Sequence, residues 1–377
     1  MNRDNTYLVV TPLFPTENNF VGIYIYDQLN ELRSQTSFNI EIIKVVSIFS
    51  IEKNYIFDEF KIKVFKVFDL PFFIFPGLFN LVNKKRLSRF INDNRINKIK
   101  FIHSHVAYPS AYIVEDLDGK KIIQHHGLDV LQLNNGRIEF IKKIQKKYLV
   151  NNTIKKLNKF DLQIAVSNLV LTKLNSYEKY YPNNEYVLYN GVDNKKFFNI
   201  KTCKNSVFTV GCVANFWKIK DQITLIKSIQ HLISNGVKVK LRLVGTGPTF
   251  NKCLQYVKNN NLDDYICFES EMPHNKLNFF FNHIDLFVLP SFYEALGCVY
   301  LESWATETPF IAIKDQGIAE IIPNKKNMLA NAKDFIDLSN RIYYFTKNKT
   351  IIKLPSSLNI SSTISKYLSL SLFNNNA

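Results

Sequence analysis

Two carboxylates eight positions apart, Glu294 and Glu302, lie in the segment Pro290-Ser291-Phe292-Tyr293-Glu294-Ala295-Leu296-Gly297-Cys298-Val299-Tyr300-Leu301-Glu302. Each carboxylate can accept two hydroxyl hydrogen bonds at once, which suits recognition of a sugar or a ribose. A helix beginning near Gly297 would place Glu294 before it and Glu302 inside it. The backbone N–H groups of its first turn, at Cys298 and Val299, would favour an anion such as a diphosphate. Lys220, after an apolar run at 207–213, carries a point charge. His126 follows the run 121–124, where a neutral imidazole could hydrogen-bond a hydroxyl. Each also has a plain structural alternative: a solvated acid before a helix, a surface glutamate, a packed histidine.

The elements that must position these residues are short apolar strands alternating with helix-length stretches. Strands are expected at 7–11, 40–46, 63–67, 100–103, 121–124 and 162–166, with an amphipathic helix marked by Ile25, Leu29 and Leu32. After the turn Asn190-Gly191-Val192-Asp193 a second series is expected at 207–213, 240–244, 266–269, 286–289 and 310–313. This alternation predicts an α/β protein with parallel sheets, and such sheets bind ligands at the carboxyl ends of their strands. A length of 377 residues exceeds one ordinary core. Two Rossmann-like domains are expected, at 1–195 and 196–350. A tail at 351–377, helix-like in its later part, would pack back towards the first domain.

Composition narrows the classes of partner. The chain is 46% hydrophobic and 21% charged, the balance of a globular protein. Its formal charge of +16 points to an anionic partner. Residues 1–195 carry +8, whereas 83–100 and 137–159 alone carry +6 and +7. The basicity is therefore two local patches, and neither has the aromatic or helix-pair signatures of nucleic-acid readers, so no nucleic acid is expected. The five cysteines form no Cys-x-x-Cys pair and read as reduced thiols, and no zinc spacing appears, so no metal is expected. Asp116 and Asp118 form an Asp-x-Asp pair, but beside Gly119 they read as a turn. The first apolar run is interrupted by Pro12 and the longest, 70–82, by Pro71, Pro76 and Gly77. Neither a signal peptide nor a spanning helix is expected, and the expected location is cytoplasmic.

The segment 290–302 resembles the Glu-x7-Glu motif of the retaining glycosyltransferase family 4, and further stretches match that family in order. Asn190 to Asp193 resembles its interdomain turn, and 210–220 its first strand and phosphate loop in the second domain. Leu243 to Pro248 resembles its Gly-x-Gly-Pro turn, 284–291 the strand before the glutamate pair, and Gln316 to Glu320 its Gly-Gly-x-x-Glu turn. In the first half, Phe14, Pro15 and Gly22 resemble a phosphate-facing loop, and His125-His126-Gly127-Leu128-Asp129 a His-Gly-x-Asp segment, with His126 aligned to the family histidine.

The resemblance implies the GT-B architecture, two Rossmann-like parallel-sheet domains facing a central cleft. It implies a metal-independent, retaining transfer of a sugar from a nucleotide-sugar, expected to be a UDP-sugar, to a hydroxyl of a glycan or polyprenyl-linked glycan. No cofactor is expected beyond that co-substrate. Glu294, His126 and Lys220 are the catalytic candidates. Gly22, Asn215, Lys220, Gly245, Ser291, Glu294, Gly297, Cys298, Val299 and Glu302 are expected on the donor, with Glu302 on the ribose. His103, His105 and Asp129 are expected on the acceptor side.

Three positions depart from the family pattern: Asn215 where arginine is usual, and Glu307 and Gln316 where glycine is usual. They motivate a rival expectation, a catalytically weak homologue that binds or scaffolds a partner transferase. The apolar run at 70–79 beside Lys84, Lys85, Arg86 and Arg89, and the basic stretch 141–148, suit an anionic lipid surface at the inner membrane face. A core-packed loop and a solvated helix face are the alternatives there.

Overall fold

A computed structural model describes residues 5–69, 77–127, 142–200, 205–323 and 326–374. The chain divides into two compact units, 1–190 with 363–377, and 191–362.

The first unit is built on an eight-stranded sheet. Its elements are β1 (Thr6–Thr11), α1 (Ile23–Gln35), β2 (Asn39–Ser47), β3 (Tyr55–Phe57), β4 (Phe60–Val67), α2 (Asn80–Asp93), β5 (Ile99–His105), β6 (Lys120–His125), α3 (Lys142–Leu157), β7 (Leu162–Ala165), α4 (Asn168–Asn175) and β8 (Glu185–Val187). The order is β3-β4-β2-β1-β5-β6-β7-β8, parallel except for the β3–β4 hairpin. All six residues of β1 are buried, as expected for a central parallel strand covered on both faces. Ile25, Leu29 and Leu32 form the buried stripe of α1.

The second unit carries a six-stranded, all-parallel sheet in the order β11-β10-β9-β12-β13-β14. The chain runs β9 (Phe208–Val213), α5 (Gln222–Ser234), β10 (Val239–Val244), α6 (Phe250–Asn259), β11 (Ile266–Glu269), α7 (Leu277–Asn282), β12 (Leu286–Val288), α8 (Cys298–Ala305), β13 (Phe310–Ile313), β14 (Leu329–Ala330) and α9 (Phe335–Lys347). Asp334 caps α9 by accepting from the Ile336 and Asp337 amides. Two more helices follow, α10 (Ile360–Leu368) and α11 (Ser371–Asn374).

Both sheets follow the doubly wound rule. Counted along the chain, β9 to β14 lie in the order 3-2-1-4-5-6, and β1, β2, β4, β5, β6 and β7 repeat it. In such a sheet the crevice for a ligand opens beyond the carboxyl ends of strands 1 and 4, where the winding reverses. Those ends are Val213 and Val288 in the second unit, and Thr11 and His105 in the first.

An aromatic core fixes α8 against the second sheet. Phe281 meets Phe287 at 5.4 Å, Phe287 meets Tyr300 at 5.6 Å, and Phe310 meets Tyr300 at 5.3 Å and Trp304 at 5.6 Å. Tyr300 also donates its hydroxyl proton to the Leu289 carbonyl at 2.8 Å. The first turn of α8 is thereby tied to the end of β12, the place where a ligand-binding helix is needed.

Candidate active site

The loops after β9 and β12 meet at the switch point of the second unit. The Ile219 carbonyl accepts from the Phe292 amide and from the Ser291 hydroxyl, both at 3.1 Å. This bridge brings Lys220, at the end of a 3-10 turn, beside Glu294, and Nζ lies 2.5 Å from Oε2. Both side chains are largely buried, at 22% and 15% exposure. A cation and a carboxylate thus stand together at a strand-end crevice, one suited to a phosphate and the other to hydroxyls.

Gly297 immediately precedes α8 with φ of 80°, and an added Cβ would lie 2.7 Å from the Tyr300 ring and 3.0 Å from Glu294 Cγ. Only glycine allows this entry, so the residue serves the shape of the loop itself. Cys298 and Val299 occupy the first turn of α8, whose amides lack intrahelical acceptors. Glu302 lies one turn further in and is buried. Its Oε1 is 3.0 Å from His274 Nε2, while Oε2 is buried with no hydrogen-bond partner. A buried carboxylate oxygen of this kind is satisfied by a donor, and a hydroxyl can supply one.

Asn215 and Gly245 lie in neighbouring loops. Asn215 is exposed, and its backbone carbonyl accepts from Gln222 Nε2 at 3.1 Å. Gly245 follows β10, and the next residue, Thr246, accepts from the Phe216 amide at 2.7 Å.

Of the departures from the family pattern, two have local explanations. Gln316 Oε1 accepts the Glu294 amide at 2.7 Å, and the Glu294 carbonyl accepts from the Gly317 amide at 3.2 Å. Gln316 therefore holds the backbone of the Glu294 loop. Glu307 has φ of 61°, the left-handed region, and it stands past the C-terminal end of α8. A helix of eight residues is about 12 Å long, so Glu307 is removed from Gly297 by about that distance. A glycine at this place would suit a helix stop.

In the first unit, Gly22 has φ of 88°, and a Cβ there would lie 2.7 Å from the Leu13 carbonyl. Close approach of the loop to itself already demands glycine. His126 is half-buried, with its ring 4.8 Å from that of Tyr24 and its Nε2 2.9 Å from His105 Nδ1. His125 faces inward to Gln163 at 3.2 Å. His103 and His105, expected on the acceptor side, are both completely buried on β5. Their rings stack at 4.3 Å, and His103 Nδ1 lies 2.7 Å from the Tyr7 hydroxyl, itself 2.7 Å from that of Tyr367 on α10. Burial, with the nearby His126, lowers the His103 pKa to about 3 and holds His105 well below the usual histidine range. Both imidazoles are held neutral, and His105 is the link to His126. Asp129 lies outside the described residues, as do residues 70–76 of the apolar run.

The basic segments are also partly spoken for. Lys84, Lys156 and Lys159 converge on Glu115, and Lys84 also reaches Asp116 at 3.0 Å. Burial raises the Glu115 pKa, but the three ammonium groups outweigh it and hold the carboxyl at about 2. Asp116 is thus a lysine partner. No group of metal-ligating side chains occurs among the described residues, and none of the described helices is long and apolar enough to cross a membrane.

His274, Gln316 and Tyr24 join the candidates from the structure alone. His274 opens a 3-10 turn beyond the loop that follows β11, and its spacing in the sequence does not mark it. Gln316 was visible only as a mismatch.

Residues 193–361 match the family model described as glycosyl transferases group 1. An uncharacterised glycosyltransferase of Methanocaldococcus jannaschii is 28% identical over 287 residues, 74% of each chain. An N-acetyl-alpha-D-glucosaminyl L-malate synthase of Bacillus anthracis is 26% identical over 240 residues, 59% of each. Among solved structures, a sucrose-phosphate synthase of Thermosynechococcus elongatus aligns with a TM-score of 0.73 at 15% identity, covering 98% of this chain and 95% of the other. An Anabaena protein solved with UDP and glucose aligns at 0.66 and 16% identity, covering 97% and 95%. At such identities the structures speak for the fold, the two-unit GT-B architecture.

Proposed function

We propose that this chain, a group 1 glycosyltransferase by its residues 193–361, retains anomeric configuration while moving a sugar from a UDP-sugar to a glycan or lipid-linked glycan hydroxyl in polysaccharide synthesis. The observation that carries the proposal is the Lys220–Glu294 pair at the switch point of the second sheet. In this reading Glu294 accepts hydrogen bonds from donor-sugar hydroxyls, and Lys220 with the Cys298 and Val299 amides stabilises the departing diphosphate. Glu302 accepts from the ribose, and His126 hydrogen-bonds a sugar hydroxyl. The leaving phosphate takes the acceptor proton, so the reaction needs neither a covalent nucleophile nor a metal.

Glu294→Ala and Lys220→Ala are each expected to lower turnover on a panel of nucleotide-sugars by about a hundredfold or more, followed by mass spectrometry of the products. Unchanged transfer by either variant would overturn the assignment. The rival reading, a weak homologue that scaffolds a partner, loses support from the local accounts of Gln316 and Glu307. Absence of both transfer and slow donor hydrolysis across the panel would restore it. A membrane-borne acceptor is the finer form of the proposal, supported by the exposed Leu81, Val82, Lys85 and Arg89 of α2.

A further inference from the structure

We infer that His274 is a positioning residue that makes Glu302 selective for an intact nucleoside diol. The inference rests on the proposed ribose role of Glu302.

The geometry of the pair is specific. Glu302 is buried on α8, and its two oxygens have different fates: Oε1 lies 3.0 Å from His274 Nε2, and Oε2 is buried without a hydrogen-bond partner. A free carboxylate could rotate about its last bond and offer either oxygen, or settle on a local donor with both. The imidazole removes that freedom by holding one oxygen, so the other stays committed to an incoming donor. His274 is itself held, because its ring meets the Phe197 edge at 5.2 Å and its side chain is only 12% exposed. Phe197 is buried in the segment that leads from the Asn190 turn into the second unit. The order of support is thus Phe197, His274, Glu302 and then ligand, all within one compact unit.

A carboxylate oxygen buried in this way is expensive to leave unmatched, and a hydroxyl donor would satisfy it. Loss of the imidazole N–H would let the carboxylate relax and would weaken diol recognition without touching the phosphates.

The test measures binding of UDP and of 2′,3′-dideoxy-UDP by calorimetry, using the full chain. Wild type is expected to prefer UDP by about tenfold or more, the range for a hydrogen bond to a charged group. His274→Leu should lose most of that preference while retaining the affinity for 2′,3′-dideoxy-UDP, which shows that the variant is folded. His274→Gln, which keeps an N–H donor, should restore much of it. If His274→Leu keeps the full preference while Glu302→Gln abolishes it, the role of His274 is overturned and the ribose reading stands. If Glu302→Gln also keeps the preference, the ribose reading itself fails.

Discussion

At the scale of single residues, the second unit spends backbone strain where the family pattern has glycine. Glu307 sits at φ of 61° after α8, a conformation that costs a residue with a Cβ about 1 kcal/mol. Its carboxylate accepts from Asn199 Nδ2 at 2.7 Å, but that bond is exposed and weak compensation. Glu307→Gly is expected to stabilise the protein by roughly 0.5 to 1 kcal/mol, read as a higher urea midpoint at unchanged slope, and to leave turnover unaltered because the residue is remote from Gly297. Gln316 is the opposite kind of departure, since its side chain is used to hold the Glu294 amide. Two substitutions that look alike beside a consensus therefore have unlike physical roles.

At the scale of elements, β5 and β6 carry a row of imidazoles whose burial couples stability to acidity. An unfolded chain takes up histidine protons near pH 6.5, whereas folded His103 resists them down to about 3 and His105 resists as well. The unfolded state binds more protons in that window, so stability is full above pH 6.5 and falls as pH drops through it. Urea unfolding is expected to give a free energy lower by on the order of 2 to 4 kcal/mol at pH 5 than at pH 7.5, and a His103→Gln, His105→Asn variant should flatten that slope. Glu115 acts in a lower window: its depressed pKa contributes stability above pH 4.5 that is lost as pH falls towards 2.

The strands that built this row were readable from their short apolar centres, Phe101-Ile102 in β5 and Ile122-Ile123 in β6, set between helix-length stretches. The hairpin of β3 and β4 was not, since its turn at Asp58-Glu59 lacks glycine or asparagine and relies on Asp58 at φ of 52°. The glutamate pair and Lys220 were legible from their places after strands. The partners of those residues were not, because the contacts of His274 with Glu302 and of Gln316 with Glu294 span 28 and 22 positions along the chain.

At the scale of the whole molecule, the net charge of +16 is distributed less simply than the sequence suggests. Lys84, Lys156 and Lys159 are paired with Glu115, whereas Lys85 and Arg89 remain exposed on α2 in line with Leu81. Spacings of four place Leu81, Lys85 and Arg89 on one helix face. Flotation is therefore expected to show binding to vesicles rich in anionic lipid and little to neutral ones, with Lys85→Glu, Arg89→Glu abolishing it. Equal flotation on both would reject docking through anionic lipid, and flotation on neither would remove the membrane from the proposal.

The division of the chain has one more effect, on the order of events in synthesis. Residues 363–377 count with the first unit, and Tyr367 is bonded there to Tyr7, yet the whole of 191–362 lies between them in the chain. A domain made of one continuous segment can close as it emerges from the ribosome. This one keeps an unfilled place beside Tyr7 and His103 until residues 191–362 have been translated, so of the two units the one begun earlier is completed later.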